Sequence, residues 1–131
     1  MKHLIAALSL SVMPALAFAQ AEQEPLSISF PTGAAAVPAE GLDTLDEAAR
    51  LFRAGNPIVM IVTGGADTVG NAGRNLQLSV ARAQAVADGL VARGIPADRL
   101  QVLGRGTTEL PVDTSAGVAE QANRVVEISW R

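Results

Sequence analysis

Two residues of opposite charge flank the start of a helical pattern in the stretch GGADTVGNAGRNLQLSVARA, residues 64–83. Asp67 precedes the helix, where free backbone N–H groups and the positive end of the helix dipole stabilise a carboxylate. Asn75, Ser79 and Arg82 follow at spacings of four and three, so they share one stripe of the helix. Asp67 would accept an ammonium group, and the planar fork of Arg82 would bind a carboxylate. The pair therefore suits a zwitterion, such as the amino-acid end of a peptide.

Two purely structural interpretations stand beside the ligand site. Asp67 and Arg82 would pair with each other, as surface ions commonly do with little gain in stability. Alternatively, Asp67 would only cap the helix. The residue pattern alone leaves both interpretations open.

The glycine-rich loop lacks the residues that a nucleotide site requires. Gly65 and Gly70 have the spacing of a P-loop, but Asn71 and Ala72 stand where Lys and a hydroxyl residue are needed. Gly64 and Gly65 are adjacent, which breaks the dinucleotide fingerprint. The glycines instead let the backbone bend sharply and come close to whatever binds there.

Composition excludes most catalytic and metal-binding chemistry. The 131-residue chain has no Cys and one His, which lies in the N-terminal segment, so thiolate sites and His-based triads are not expected. Carboxylate-driven hydrolysis remains, but the acidic residues fit a helix start and a polar loop: Asp43, Asp46, Glu47, Glu109 and Asp113. We therefore predict no enzyme activity, no cofactor and no metal. A net charge of −3 without a basic cluster argues against nucleic acid as a partner.

The N-terminal segment is typical of a secretory signal peptide. A short basic start and an apolar run lead to an A-x-A site at residues 17–19. We expect residues 1–19 to be removed, residues 20–25 to form a flexible lead-in and residues 26–131 to form one domain. The apolar run is short for a membrane span and contains Pro14. The prediction is a periplasmic protein without direct membrane insertion.

Hydrophobic patterns predict a strand–helix–strand–helix–strand–strand order. Alternating or continuous apolar residues indicate strands at 26–30, 58–62, 100–103 and 125–130. The predicted buried stripes of the two helices are Leu42, Leu45, Ala49 and Phe52, then Leu76, Val80, Ala83, Ala87 and Leu90. Right-handed crossovers place both helices on one face of the sheet, and the last strand can pair antiparallel. The predicted fold class is α+β: a βαβαββ two-layer sandwich with a mixed four-stranded sheet.

Several spaced motifs resemble the OmpA-like domain family, which is shared by OmpA, the peptidoglycan-associated lipoprotein and MotB. The family motif runs G-H-T-D-x-x-G and then N-x-x-L-S-x-x-R-A. It matches here in order and spacing at Gly64, Asp67, Gly70, Asn75, Leu78, Ser79, Arg82 and Ala83. The segment ANRVVEISW resembles the family's closing N-R-R-V-E-I strand, and SISFPTGAAAV resembles its opening strand and loop. The resemblance covers essentially the whole chain after the signal peptide.

The resemblance implies non-covalent binding of peptidoglycan through the diaminopimelate side chain of the stem peptide. Diaminopimelate carries a free amino-acid end, which agrees with the zwitterion argument. Carried over by position, Asp67 and Arg82 would be the main ligand contacts, Asn75 would support the pocket, and Arg124 would line it from the last strand. Any association with the outer membrane would come through envelope protein partners.

The sequence departs from the family pattern at several positions. Gly65 and Ala66 replace the family's His and Thr, and Arg74 replaces the aromatic residue before the Asn. Val125 replaces a second Arg, and Thr107 replaces the Glu of G-x-G-E. Because a fold can outlive its site, the alternative is a degenerate domain that serves as a protein-interaction or structural module without wall binding.

Overall fold

Four strands and two helices follow one another in the predicted order. The computed structural model describes residues 24–55 and 59–131, so the predicted signal peptide, most of the lead-in and the start of the second predicted strand lie outside the described residues. The elements are β1 (Leu26–Ser29), α1 (Ala39–Gly55), β2 (Met60–Gly64), α2 (Ala72–Val91), β3 (Leu100–Gly104) and β4 (Val125–Trp130). Single 3-10 turns at Ala97–Arg99 and Gln121–Asn123 precede the last two strands.

The sheet is mixed, with the strand order β1-β4-β2-β3. β2 is parallel to β3 and antiparallel to β4, and β1 is antiparallel to β4. Val62, in the middle of β2, lies opposite Val102 on one side and Ile128 on the other. The continuous apolar run therefore forms a central strand, and the last strand inserts beside it. These findings confirm the predicted fold class.

One hydrophobic core joins the sheet to both helices. Its buried members include Ile28 from β1, Leu45 from α1, Met60 from β2, Leu90 from α2 and Ile128 from β4. Burial of a side chain of this size stabilises the fold by roughly 1.5–3 kcal/mol. Within the two described segments, no helix is both long enough and apolar enough to span a membrane.

The buried face of α2 differs from the predicted one in the first half of the helix. Leu76 and Val80, which we predicted to be buried, are 47% and 44% exposed. The neighbouring polar stripe of Asn75, Ser79 and Arg82 faces inward instead and is buried. Ala83, Ala87 and Leu90 are buried as predicted, so the prediction was wrong only for the first half of the helix, where it assumed that apolar side chains would meet the sheet.

Two glycines explain why a polar stripe can face the sheet. Gly64 and Gly104 lie opposite each other on β2 and β3. A Cβ at Gly64 would overlap the carbonyl oxygen of Ser79, and a Cβ at Gly104 would stand 2.8 Å from the backbone nitrogen of Val80. The backbone of α2 therefore occupies the space of two side chains. The buried Ser79 hydroxyl also accepts the N–H of Gly106 at 2.8 Å, which ties the turn after β3 to the helix.

The first helix shows a smaller correction of the same kind. Leu42, predicted to belong to the buried stripe, is 45% exposed, whereas Leu45, Ala49 and Phe52 are buried as predicted. The buried stripe begins one residue earlier, at Gly41. A Cβ there would lie 2.8 Å from side-chain carbons of Ile28 and Val37, so this end of α1 approaches the sheet without a side chain.

Candidate binding site

A cavity of about 550 Å³ opens beside the loop that joins β2 to α2. Asp67 lines it from the loop, and Asn75 and Arg74 line it from the first turns of α2. Thr32 and Gly33, in the connection between β1 and α1, also line it. Its volume lies within the range of small-molecule sites.

Asp67 is buried, and its ion-pair partner in the described part of the chain is Arg124. Nη1 of Arg124 donates to Oδ2 at 2.8 Å. The backbone N–H of Glu120 donates to the same oxygen at 3.2 Å, and that of Val69 donates to Oδ1 at 3.3 Å. With a single long hydrogen bond, Oδ1 keeps acceptor capacity for a ligand.

The protonation state of Asp67 follows from these contacts. Burial alone would raise the pKa of Asp67, because it disfavours the charged form. The hydrogen bonds from Arg124, Glu120 and Val69, together with the charge of Arg124, outweigh burial and hold the pKa below its usual value. The carboxylate is therefore ionised at neutral pH.

Arg82 is fully buried, and backbone carbonyl groups take up its donors. Nε donates to the carbonyl of Ala34 at 2.8 Å, Nη1 to Gly65 at 3.1 Å and Nη2 to Pro31 at 3.0 Å. The guanidinium carbon also stands 5.4 Å from the ring centre of Phe30, within reach of a cation–π interaction. Arg82 thus ties the connection before α1 to the loop after β2.

The charge of Arg82 lies behind the cavity wall and is absent from the residues that line it. Burial lowers the pKa of the guanidinium, the carboxylate of Asp67 opposes this effect, and the charge of Arg124 adds to it. Arginine nevertheless remains protonated in proteins. Asp67 and Arg82 therefore interact through their charges, while each makes its hydrogen bonds with other residues.

The helix cap is Asn71, and Asp67 does not serve this purpose. The side-chain oxygen of Asn71 accepts the N–H groups of the second and third helical residues at 2.8 and 3.1 Å. Asn75 is buried and donates from Nδ2 to the carbonyl of Val69 at 2.8 Å, which holds the loop against α2. Neither structural interpretation of Asp67 describes its contacts, since it neither pairs with Arg82 nor caps α2.

The loop is well held despite Gly65 and Ala66. The N–H of Gly65 donates to the carbonyl of Val125 at 2.9 Å, and that of Ala66 donates to Gly106 at 3.0 Å. A Cβ at Gly65 would lie only 3.1 Å from the carbonyl oxygen of Asn123, so a larger residue would need its neighbours to move. The departures from the family motif therefore leave the loop closely packed.

The sequence pattern missed residues that fix the connection between β3 and β4 over this loop. Asn123 is buried and exchanges two hydrogen bonds with the backbone of Val112, at 2.9 and 2.8 Å. The hydroxyl of Thr68 donates to the carbonyl of Ser115 at 2.6 Å and lies 3.0 Å from that of Thr114. The only signal was position: Asn123 matches the family's closing motif, and Thr68 follows Asp67.

The fold and the loop cavity together define an OmpA-like domain. The chain belongs to the OmpA family, since a sequence model of that family matches residues 29–124. The Peptidoglycan-binding protein ArfA of Mycobacterium tuberculosis is 33% identical over 96 residues, which cover 73% of this chain and 29% of ArfA. The Probable lipoprotein YiaD of Escherichia coli is 29% identical over 105 residues, which cover 80% of this chain and 48% of YiaD. The chain thus spans less than half the length of either relative.

Solved structures show the same architecture. The cell wall anchor of the T6SS from Pseudomonas aeruginosa is 30% identical, with a TM-score of 0.69 over 89% of this chain and 90% of that one. The peptidoglycan-associated lipoprotein from Burkholderia pseudomallei has a TM-score of 0.73, covering 80% of this chain and 89% of that one, at 19% identity. The second likeness concerns the fold alone.

Proposed function

We propose that this chain binds peptidoglycan non-covalently in the periplasm. The observation that carries the proposal is the cavity beside the β2–α2 loop, which presents the ionised carboxylate of Asp67. The name of ArfA, a peptidoglycan-binding protein, and that of the Pseudomonas aeruginosa cell wall anchor support it. The periplasmic location rests on residues 1–19 acting as a secretory signal peptide.

The proposed ligand group is the diaminopimelate end of the stem peptide. Its ammonium would bind Oδ1 of Asp67, which Arg124 orients through the other carboxylate oxygen. Asn75 would support the site by holding the loop. A direct contact between the ligand carboxylate and Arg82 would require the connection at residues 31–34 to release the guanidinium, because that side chain is fully buried.

We propose binding without catalysis. Asp67 is the single acidic side chain among the described residues that line the cavity. Glycoside hydrolysis in most enzyme families needs two carboxyl groups that flank one bond. The arrangement therefore supports charge recognition of a bound group and offers no acid–base pair to cleave it.

The expected affinity for one stem peptide is weak. Each charge-assisted hydrogen bond contributes about 1.5–3 kcal/mol net, so a few of them give a Kd in roughly the micromolar to millimolar range. A sacculus carries many sites, whereas the proposal gives each copy of this chain a single binding cavity. Firm anchoring would require oligomers or an envelope protein partner.

The test is co-sedimentation with purified sacculi, using a variant that blocks the cavity. Ala81 is exposed on α2, lines the cavity and contributes no side-chain hydrogen bond, so Ala81→Trp fills the space without breaking the network around Asp67. Ala54→Trp, at an exposed position near the end of α1, is the matched control. Circular dichroism and thermal unfolding establish that all three proteins are folded.

We expect the wild type and Ala54→Trp to co-sediment and Ala81→Trp to stay in solution. Equal sedimentation of all three would place wall binding away from this cavity. If folded wild type stays in solution, the alternative of a protein-interaction or structural module without wall binding replaces the proposal.

A further inference from the structure

Arg74 is the single cation among the described residues that line the cavity. It is the third residue of α2, and its side chain is exposed. Asp67 lines the same cavity from the preceding loop. A carboxylate and an accessible guanidinium thus share one cavity, in the combination that we first assigned to Asp67 and Arg82.

The side chain of Arg74 has no polar partner among the described residues. Among residues 24–55 and 59–131, the side chain of Arg74 takes part in no ion pair and makes no hydrogen bond. The first turn of a helix is also unfavourable for a cation, because the N-terminal end of the helix dipole is positive. A residue that conflicts with its local setting and has no internal partner indicates a role outside folding.

The other two guanidinium groups of the site are already engaged. Arg82 is fully buried and bound to three carbonyls. Arg124 binds Asp67 and also donates from Nε to the carbonyl of Phe30 at 3.0 Å. An anionic group that enters the cavity can therefore reach Arg74 without breaking any existing contact.

We infer that Arg74 is a specificity-determining ligand contact, which binds a carboxylate of the cell-wall peptide while Asp67 binds its ammonium. The inference rests on the proposed function. The planar fork of Arg74 would grip the carboxylate through two parallel hydrogen bonds. Arg124 already pairs with Asp67, so Arg74 remains available to balance the charge of a ligand carboxylate.

The experiment compares two soluble probes that differ by one charge. The first is a stem tripeptide that ends in diaminopimelate, and the second is the same peptide with the carboxylate of its free amino-acid end amidated. Dissociation constants are measured by NMR titration for the wild type, Arg74→Ala, Arg74→Lys and Arg131→Ala, each without the predicted signal peptide. Arg131 is an exposed arginine after β4, at the end of the sheet opposite the cavity, and its replacement removes the same charge.

We expect the wild type and Arg131→Ala to bind the acid about tenfold more tightly than the amide. Arg74→Ala should bind both probes equally, with an affinity for the acid reduced about tenfold, and Arg74→Lys should lie between. An unchanged preference for the acid in Arg74→Ala, or no preference in the wild type, would overturn the inference while leaving wall binding intact. Failure of the wild type to bind either probe or sacculi would instead remove the proposed function.

Discussion

Replacing Arg82 with Met tests whether this side chain primarily holds the two walls of the site together. The substitution removes every side-chain N–H donor and keeps an unbranched chain that fills much of the same space. Three hydrogen bonds are lost, to the carbonyls of Pro31, Ala34 and Gly65. The structure allows the cost of each bond to be assigned from the burial of its acceptor.

The carbonyl of Gly65 belongs to a buried residue, so its loss costs about 2 kcal/mol. Pro31 is exposed and Ala34 half-buried, so water can replace the donor there, and we assign about 1 kcal/mol to each bond. Removing a buried charge returns part of this cost. We expect a net loss of about 3 kcal/mol in the free energy of unfolding. At roughly 4–8 °C per kcal/mol, Tm falls by about 12–24 °C.

The assay is urea and thermal unfolding followed by circular dichroism, with Arg74→Met as the matched control. Arg74 is exposed, and the described residues offer its side chain no partner, so its replacement should change stability by less than about 0.5 kcal/mol. If Arg82→Met also lowers the free energy of unfolding by less than about 0.5 kcal/mol, its three hydrogen bonds to backbone carbonyls do not hold the walls of the site together. Arg82 would then be free to act as a ligand group alone.

Two further predictions concern the packing of α2 and the acid response of the site. Gly64→Ala should lower the free energy of unfolding by more than about 3 kcal/mol, because the new methyl group meets the rigid backbone of Ser79. The control is Gly55→Ala, which should be neutral or stabilising because no atom lies within 4 Å of the added Cβ. Equal Tm values in the two variants would contradict the close approach of α2 to β2. Asp67 has a lowered pKa when folded, so its contribution to stability is complete above its unfolded value of about 3.9 and is lost as the pH falls through the folded pKa. Unfolding curves from pH 6 to pH 2.5 should show a weaker acid dependence for Asp67→Asn than for wild type, and parallel curves would be inconsistent with the Asp67–Arg124 pair.

Local sequence patterns were sufficient to predict most of the fold. The alternation in the last strand and the apolar run of β2 were sufficient to predict both strands. An alternating pattern is typical of a strand that is buried on one face, and a continuous apolar run is typical of a strand that is covered on both faces. The burial of the polar stripe of α2 could not be predicted, because it depends on the close approach of Gly64 and Gly104 to α2 in the folded structure.

The predicted site residues lie around one loop, but the contacts between them were not predictable from the sequence. Asp67 pairs with Arg124, which lies 57 residues away, and Arg82 bonds to Pro31 at a separation of 51 residues. Sequence spacing describes neighbours on one helix, whereas these contacts depend on which loops the sheet brings together. The sequence identified Arg74 only as a departure from the family motif, and its position in the cavity is visible only in the structure.

The central claim is that the cavity beside Asp67 receives the cell-wall peptide. The most direct measurement is an NMR titration of the isotope-labelled protein with the soluble diaminopimelate tripeptide. The backbone N–H groups of Val69 and Glu120 donate to the Asp67 carboxylate, so their signals should shift the most and saturate together. Saturable binding that leaves both signals unmoved, with shifts confined to other parts of the surface, would contradict the account.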